Sequence, residues 1–248
     1  MQNSPSKPTE ERSRENAFEM FNRIAPRYDL VNRVLSGGID IWWRKKVVAA
    51  LPSQEGLQIL DVATGTGDLL VAMAKAPSVQ RVLGVDVSEG MIEAGQHKLL
   101  PFQKKGPAEK NVEMKLGDAL ALEEYEGQFD VVTIAFGIRN VIDVDLALRQ
   151  MFATLRPGGK LLVLEFSTPK NAVVAPTYNL YRKEILPRVG GWVSGNKEAY
   201  RYLDETIASF PSGDEFLDMM TNAGFTKCIT QPLTFGVASL YEGRKGEA

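Results

Sequence analysis

A single cysteine, Cys228, and a single histidine, His97, are the scarcest chemistry in this 248-residue chain. One thiol excludes an internal disulfide, and so thin a supply of sulfur and imidazole offers no Cys/His set for a metal, so no metal is expected. Net charge is equally scarce. With 29 Lys and Arg against 31 Asp and Glu, the formal charge is −2. That balance gives no positive field for gripping a polyanion, and a nucleic-acid partner is not expected. No uncharged apolar run approaches the roughly 18 residues that a bilayer crossing needs. Residues 1–15, polar and rich in Ser, Pro and Glu, lack the apolar core of a signal peptide and read as a disordered lead-in. A reducing, cytoplasmic setting follows, in which the protein could touch a membrane without crossing it.

What is present is an ordinary globular composition, 44% hydrophobic, long enough for one domain over residues 16–248. Residues 16–51 carry apolar positions at helical spacing (Phe18, Phe21, Ile24, then Leu30, Val31, Val34). Pro26 and Gly37-Gly38 should divide this cap into three short helices. Beyond Gly56 the pattern changes to short apolar runs at 58–63, 81–86, 112–116, 129–136 and 160–166, with helices between them. Ser88 is placed to cap one of those helices. Strands alternating with helices imply an α/β fold with a parallel sheet and right-handed crossovers. A helical, aromatic-rich insertion follows at 169–210, then a helix at 214–222. Two last strands, 226–231 and 235–241, are close enough to pair as an antiparallel hairpin. A Rossmann-like, seven-stranded, mostly parallel sheet ending in a hairpin is the pattern of class I SAM-dependent methyltransferases rather than dehydrogenases, by analogy of fold alone.

The first strand ends at Asp61 and Ala63 and turns through Thr64, Gly65, Thr66 and Gly67 into a helix. In a doubly wound sheet a ligand sits at such carboxyl ends, and glycine lets the backbone approach it closely. The dinucleotide fingerprint G-x-G-x-x-G fails here, because Leu70 occupies the third glycine position. Asp68 at the helix start is a poor neighbour for a pyrophosphate but suits a ligand bearing an ammonium and a sulfonium. Asp86 ends the second strand, where a carboxylate can accept both ribose hydroxyls. Asp118 and Ala119 follow the third, within reach of an adenine edge. Each acid alone reads as a turn or cap residue. Their recurrence at successive strand ends favours S-adenosyl-L-methionine (SAM).

Two further stretches narrow the reading. They are YDLVNRVLSGGIDIWWR at 28–44 and LRPGGKLLVLEFS at 155–167. Both resemble the two signatures of the ubiquinone/menaquinone biosynthesis C-methyltransferase family, as do FGIRNV at 136–141 and YRYL at 200–203. The resemblance runs from about residue 18 to residue 241. Three positions depart from the family pattern: Asp40 stands where it usually has His, Ala135 where it often has Ser, and Thr64 where Gly is commoner. Ala135 nonetheless keeps its place as a cofactor contact.

The resemblance implies methyl transfer from SAM to a ring carbon of a polyprenylated hydroquinone, demethylmenaquinol becoming menaquinol, or the equivalent step toward ubiquinone. Such a carbon becomes nucleophilic as its neighbouring hydroxyl loses a proton, so a charge partner at that oxygen is the main requirement. Arg139, Asn140, Tyr28 and Asp29 are the catalytic candidates. A guanidinium at Arg139 suits a phenolate, unless it is occupied by a surface pair with Asp143 or Asp145. Asp29 could equally cap a helix starting at Leu30. His97, on an ordinary helix, is expected to be exposed and uninvolved. The insertion's Tyr178, Tyr181, Arg182, Lys183, Arg188 and Trp192, with Trp42 to Lys46, would form a lid for a prenyl tail at a membrane surface. The resemblance leaves a homodimer open.

Overall fold

A computed structural model of the chain describes residues 17–102, 110–169, 174–181, 184 and 197–247. The expected lead-in at 1–15, and Arg182, Lys183, Arg188 and Trp192 of the insertion, lie outside the described residues. Seven strands are present: β1 Leu57–Val62, β2 Val79–Asp86, β3 Asn111–Leu116, β4 Phe129–Ala135, β5 Leu155–Phe166, β6 Thr226–Leu233 and β7 Ala238–Arg244. They form one sheet in the order β3-β2-β1-β4-β5-β7-β6. The first five strands pair in parallel, whereas β7 runs antiparallel to both β5 and β6. The strand order reverses between β1 and β4, and a crevice opens there at the carboxyl ends.

The apolar runs read as buried strands because both faces of the sheet are covered. One face packs under α5 (Val144–Thr154) and α8 (Asp214–Asn222), through Leu148, Met151, Phe216 and Met220 against Val132 and Tyr241. The other packs under α2 (Ile39–Ala49), α3 (Asp68–Ala74) and α4 (Glu89–Leu99), through Trp43, Val47, Met73 and Ile92 against Ile59 and Val131. Each fully buried side chain of this size contributes about 1.5–3 kcal/mol. Two further helices, α6 (Val174–Leu180) and α7 (Lys197–Ser209), belong to the expected insertion.

The N-terminal cap departs from expectation. Pro26 does not divide it, since α1 runs unbroken over Ala17–Ser36. Proline leaves the carbonyl four residues earlier, that of Asn22, without its helical donor. Here that segment lies against the start of α4. Asn22 Oδ1 accepts from Gly90 N at 2.9 Å and from Ser88 Oγ at 2.6 Å. A Cβ at Gly90 would stand 3.2 Å from the Asn22 carbonyl oxygen, a tight approach that glycine relieves. The break does occur at Gly37 and Gly38, both at positive φ. Ser88 caps α4 as expected, accepting from Met91 N.

The last strand also begins later than its sequence pattern suggests. Thr234 and Phe235 both adopt left-handed φ, 46° and 57°, in a turn before β7. The turn holds the Phe235 side chain out of the sheet, 77% exposed.

Candidate active site

The β1–α3 turn is shaped by its backbone. Ala63, Gly65 and Gly67 all have positive φ, and Ala63 carries a Cβ in a region that glycine normally occupies. Phe136, immediately after β4, is likewise left-handed at 57°. The two turns nearly touch, because a Cβ at Gly137 would lie 2.6 Å from Ala63 Cβ. Two strained residues facing one another across the switch point are where a functional site is expected.

A cavity of about 540 Å³ opens above these turns, within the range of roughly 300–1,000 Å³ usual for small-molecule sites. Its lining includes Ala63, Gly65, Asp86, Asp118, Ala119 and Ala135. Asp86 is buried, and its carboxylate accepts from Gly65 N (2.7 Å) and Ser88 N (2.9 Å). Burial pushes its pKa up, while those two backbone donors oppose the shift. Each oxygen keeps a lone pair for a ligand hydroxyl. Asp118 is exposed and accepts from Leu120 N, beside the buried Ala119. A deep anionic end and an exposed polar edge fit a nucleoside.

Asp61, Thr64 and Thr66 are placed differently from Asp86. They border a small polar cavity of about 30 Å³ beneath the turn. Asp61 accepts from Thr64 Oγ1 and Thr133 Oγ1, each at 2.6 Å. Burial raises its carboxyl to about 6, against the pull of those hydroxyls. Thr66 Oγ1 donates to Asp29 and accepts from Lys98.

A second cavity, about 320 Å³, lies beneath α1 and α2. Trp43, Phe136 and Phe166 form its aromatic floor, with ring centroids 4.6–6.1 Å apart. Tyr178 and Tyr181 come from the insertion side. Tyr28, Phe136 and Asn140 line both large cavities. The two spaces therefore share a wall.

Arg139 is only 4% exposed and lines the second cavity. The surface partner considered from sequence is corrected. Asp143 instead caps α5 through Leu146 N, and Arg139 Nη1 donates to Glu165 Oε1 (2.7 Å) and to the Phe136 carbonyl (2.6 Å). The guanidinium carbon stands 5.2 Å from the Phe166 ring centre. Glu165 is fully buried in β5 and was missed. A glutamate amid Leu161 to Phe166 is the available signal, since a buried acid demands a cationic partner.

Tyr28 lies on α1 at the shared wall. Burial raises its phenol pKa, with the charges of Arg139 and Arg44 opposing. Asp29 is not a helix cap, because α1 continues through it. Its carboxylate pairs with Lys98 at 2.5 Å instead. Asp68 is also committed: Lys98 (2.7 Å) and Arg33 (2.6 Å) both bind it. Burial would raise its carboxyl, but Lys98 first, then Arg44 and Arg33, hold it below the usual range. Arg33 and Arg44 converge on buried Asp40, whose other oxygen accepts from Ser36. That network ties α1 and α2 to the cofactor turn, and no local motif announces it. His97 is exposed, as expected.

The model of the ubiE/COQ5 methyltransferase family matches residues 9–245. The chain belongs to that family. It is 41% identical over 229 residues to the ubiquinone/menaquinone biosynthesis C-methyltransferase UbiE of Geobacter sulfurreducens, covering 92% of this chain and 88% of that one. It is 42% identical over 224 residues to the demethylmenaquinone methyltransferase of Thermus thermophilus, covering 90% and 99%. Among solved structures, a SAM-dependent methyltransferase from Thermotoga maritima superposes with a TM-score of 0.65 at 19% identity, covering 92% of this chain and 99% of that one. That likeness shows the fold: class I, seven-stranded, with the antiparallel end read from the sequence.

Proposed function

We propose that the protein methylates a ring carbon of a polyprenylated hydroquinone, converting demethylmenaquinol to menaquinol with SAM as donor. The observation that carries this reading is the shared wall of Tyr28, Phe136 and Asn140 between a nucleoside-sized cavity and an aromatic one. Relatives named demethylmenaquinone methyltransferase, at 41% and 42% identity, support the menaquinone branch.

SAM, when bound, supplies an electrophilic methyl group. In this reading Asp86 takes the ribose hydroxyls, and Asp118 with Ala119 takes the adenine edge. Phe136 and Phe166 hold the acceptor ring flat. Arg139, fixed by Glu165, stabilises the negative charge that grows on the ring oxygen as its proton leaves to water; once the carbon has taken the methyl, its own hydrogen leaves as a proton and the ring oxygen regains one. Positioning supplies most of the rest, because the reacting carbon is held against the wall shared with the donor's cavity.

The tail would leave past Ile39, which lines the acceptor cavity and is 41% exposed, and past Phe235, next to the cavity-lining Thr234. Trp42, exposed under Lys46 at 5.0 Å, has interfacial chemistry suited to peripheral contact with a lipid surface. Among the described residues, no helix is long and apolar enough to cross a membrane.

Incubation with methyl-labelled SAM and a short-chain demethylmenaquinol tests the reading. Label must enter the ring carbon of the reduced acceptor. Absence of incorporation under reducing conditions, with SAM bound, would reject it.

A further inference from the structure

The nucleoside contacts leave the small polar cavity under the cofactor turn without a role. It adjoins the nucleoside-sized cavity, sharing Tyr28, Ala63, Gly65, Ala135 and Phe136 with it. At about 30 Å³ it has room for roughly two or three water-sized groups, the small end of a ligand rather than a ring. Asp29, Asp61 and Asp68 line it, and Arg44 is the cation among its lining residues.

Arg44 comes from α2, with a side chain 12% exposed. Its Nη1 donates to the Asp40 carboxylate and to the Asp40 carbonyl (3.2 Å), one helical turn earlier. Arg33 and Ser36 hold that carboxylate from the other side. The guanidinium carbon lies 5.8 Å from the Phe136 ring centre. Arg44 is thus fixed at one corner, and among the described residues Nε and Nη2 donate to none. Both keep accessible surface, on a side chain that lines the polar cavity. That pair is the side of a guanidinium that grips a carboxylate with two parallel hydrogen bonds. Charge agrees with this. Asp29, Asp40 and Asp68 are balanced by Arg33, Arg44 and Lys98 in one set of ion pairs. A balanced cluster accepts a ligand end that carries both signs without gaining an unpaired buried charge.

We infer that Arg44 binds the α-carboxylate of SAM, that Asp40 positions it, and that this contact selects SAM over a cofactor lacking the carboxylate. This rests on the SAM reading above. The ammonium on the same carbon faces Asp61, whose oxygens keep lone pairs beyond their threonine bonds. The cap helix α2 thereby becomes part of the cofactor site. Decarboxylated SAM keeps the nucleoside, the sulfonium and the amine, so the contacts of Asp86 and Asp118 cannot tell it apart. It also carries one more net positive charge, which the acids around the cavity would by themselves favour. A preference for SAM therefore reports a cation at the far end.

Calorimetric titration of the full chain with SAM and with decarboxylated SAM tests this through the ratio of the two affinities. The wild type must bind SAM about ten-fold or more tightly, the worth of hydrogen bonds to a charged group. Arg44→Met must bring the two within about two-fold or reverse their order. Arg33 and Ser36 still hold Asp40 in that variant, so the cap keeps its anchor. Asp40→Asn keeps the cation but loosens it, and must give a ratio between those of the wild type and Arg44→Met. Loosened packing alone would weaken both ligands alike, so a wild-type ratio surviving in Arg44→Met overturns the assignment. Equal binding of the two ligands by the wild type overturns it without any variant. Should Arg44→Met not fold, the wild type and Asp40→Asn decide, an unchanged ratio in the latter counting against the inference. A wild type that binds neither ligand overturns the SAM reading itself, a separate failure.

Discussion

The two large cavities share a wall but are made in opposite ways. The cofactor cavity is a backbone structure: strand ends, left-handed turns and one buried carboxylate, Asp86, held by amides at either side. The acceptor cavity is a side-chain structure, assembled from α1, α2, the turn after β4, the end of β5 and the insertion. Its charges occur as buried pairs, Arg139–Glu165 and Arg44–Asp40, flanking aromatic rings. The comparison teaches that one half is specified by local turns and the other by tertiary pairing. Each half should therefore fail separately.

The largest expected effect lies in the side-chain half. Glu165→Leu leaves the Arg139 charge buried without its counter-ion, and breaking such a pair costs about 3–5 kcal/mol. Urea denaturation should show that loss as a lower midpoint at unchanged slope. Titration below the midpoint should still find SAM bound. If SAM affinity collapses along with stability, the two halves are not separable. Next comes Arg139→Lys, which keeps the charge but loses the planar fork that reaches Glu165 and Phe136 together. The turnover number should fall by about 10²–10³, with the SAM dissociation constant within about two-fold of the wild type. Asp86→Asn is the reciprocal experiment. Losing a charged acceptor for a hydroxyl is worth about 1.5–3 kcal/mol. Calorimetry should find SAM binding weakened by about ten- to a hundred-fold, while acceptor affinity stays put.

The same contrast explains what the sequence made legible. The sheet, its antiparallel end and the cofactor turn follow from short apolar runs alternating with helices and from glycines with acids at fixed offsets, all of which are local signals. Gly65, Asp86 and Asp118 could be named because each lies within a few residues of a strand end. Local rules misjudged α1. Pro26 reads as a break, but α1 continues through it, and the preceding turn is bonded across the fold by the Asn22 side chain to Gly90 and Ser88. Arg139, Asn140 and Tyr28 were named from the sequence and do line the acceptor cavity, but the partners of the named residues escaped for the same reason. Glu165 looks like part of a strand until Arg139 is seen beside it. Asp29 looks like a cap until Lys98 and Thr66 claim its carboxylate. The resemblance at 28–44 and 136–141 marked these segments without saying which atoms meet.

The smallest effect separates the halves by pH. Asp61 lies beneath the cofactor turn, away from the acceptor, and its folded pKa of about 6 stands above the ordinary aspartate value of 3.8. Between those values the folded protein keeps a proton that the unfolded chain has released. Stability from this group therefore falls as pH rises from about 4 to about 6, and is flat above. The raised carboxyl of Asp86 acts in the same direction. Asp61→Asn removes one of the two titrations and keeps an acceptor for a threonine hydroxyl. Urea midpoints of variant and wild type should lie closest near pH 4, diverge in the variant's favour up to about pH 6, and run parallel beyond. A difference that does not change across that window would mean that the buried carboxyl under the turn is not the group that titrates. Glu165→Leu leaves Asp61 and its two threonine partners in place, so it should keep the Asp61 step while lowering the whole curve. The backbone-built half would then carry the pH dependence and the side-chain-built half most of the stability at stake.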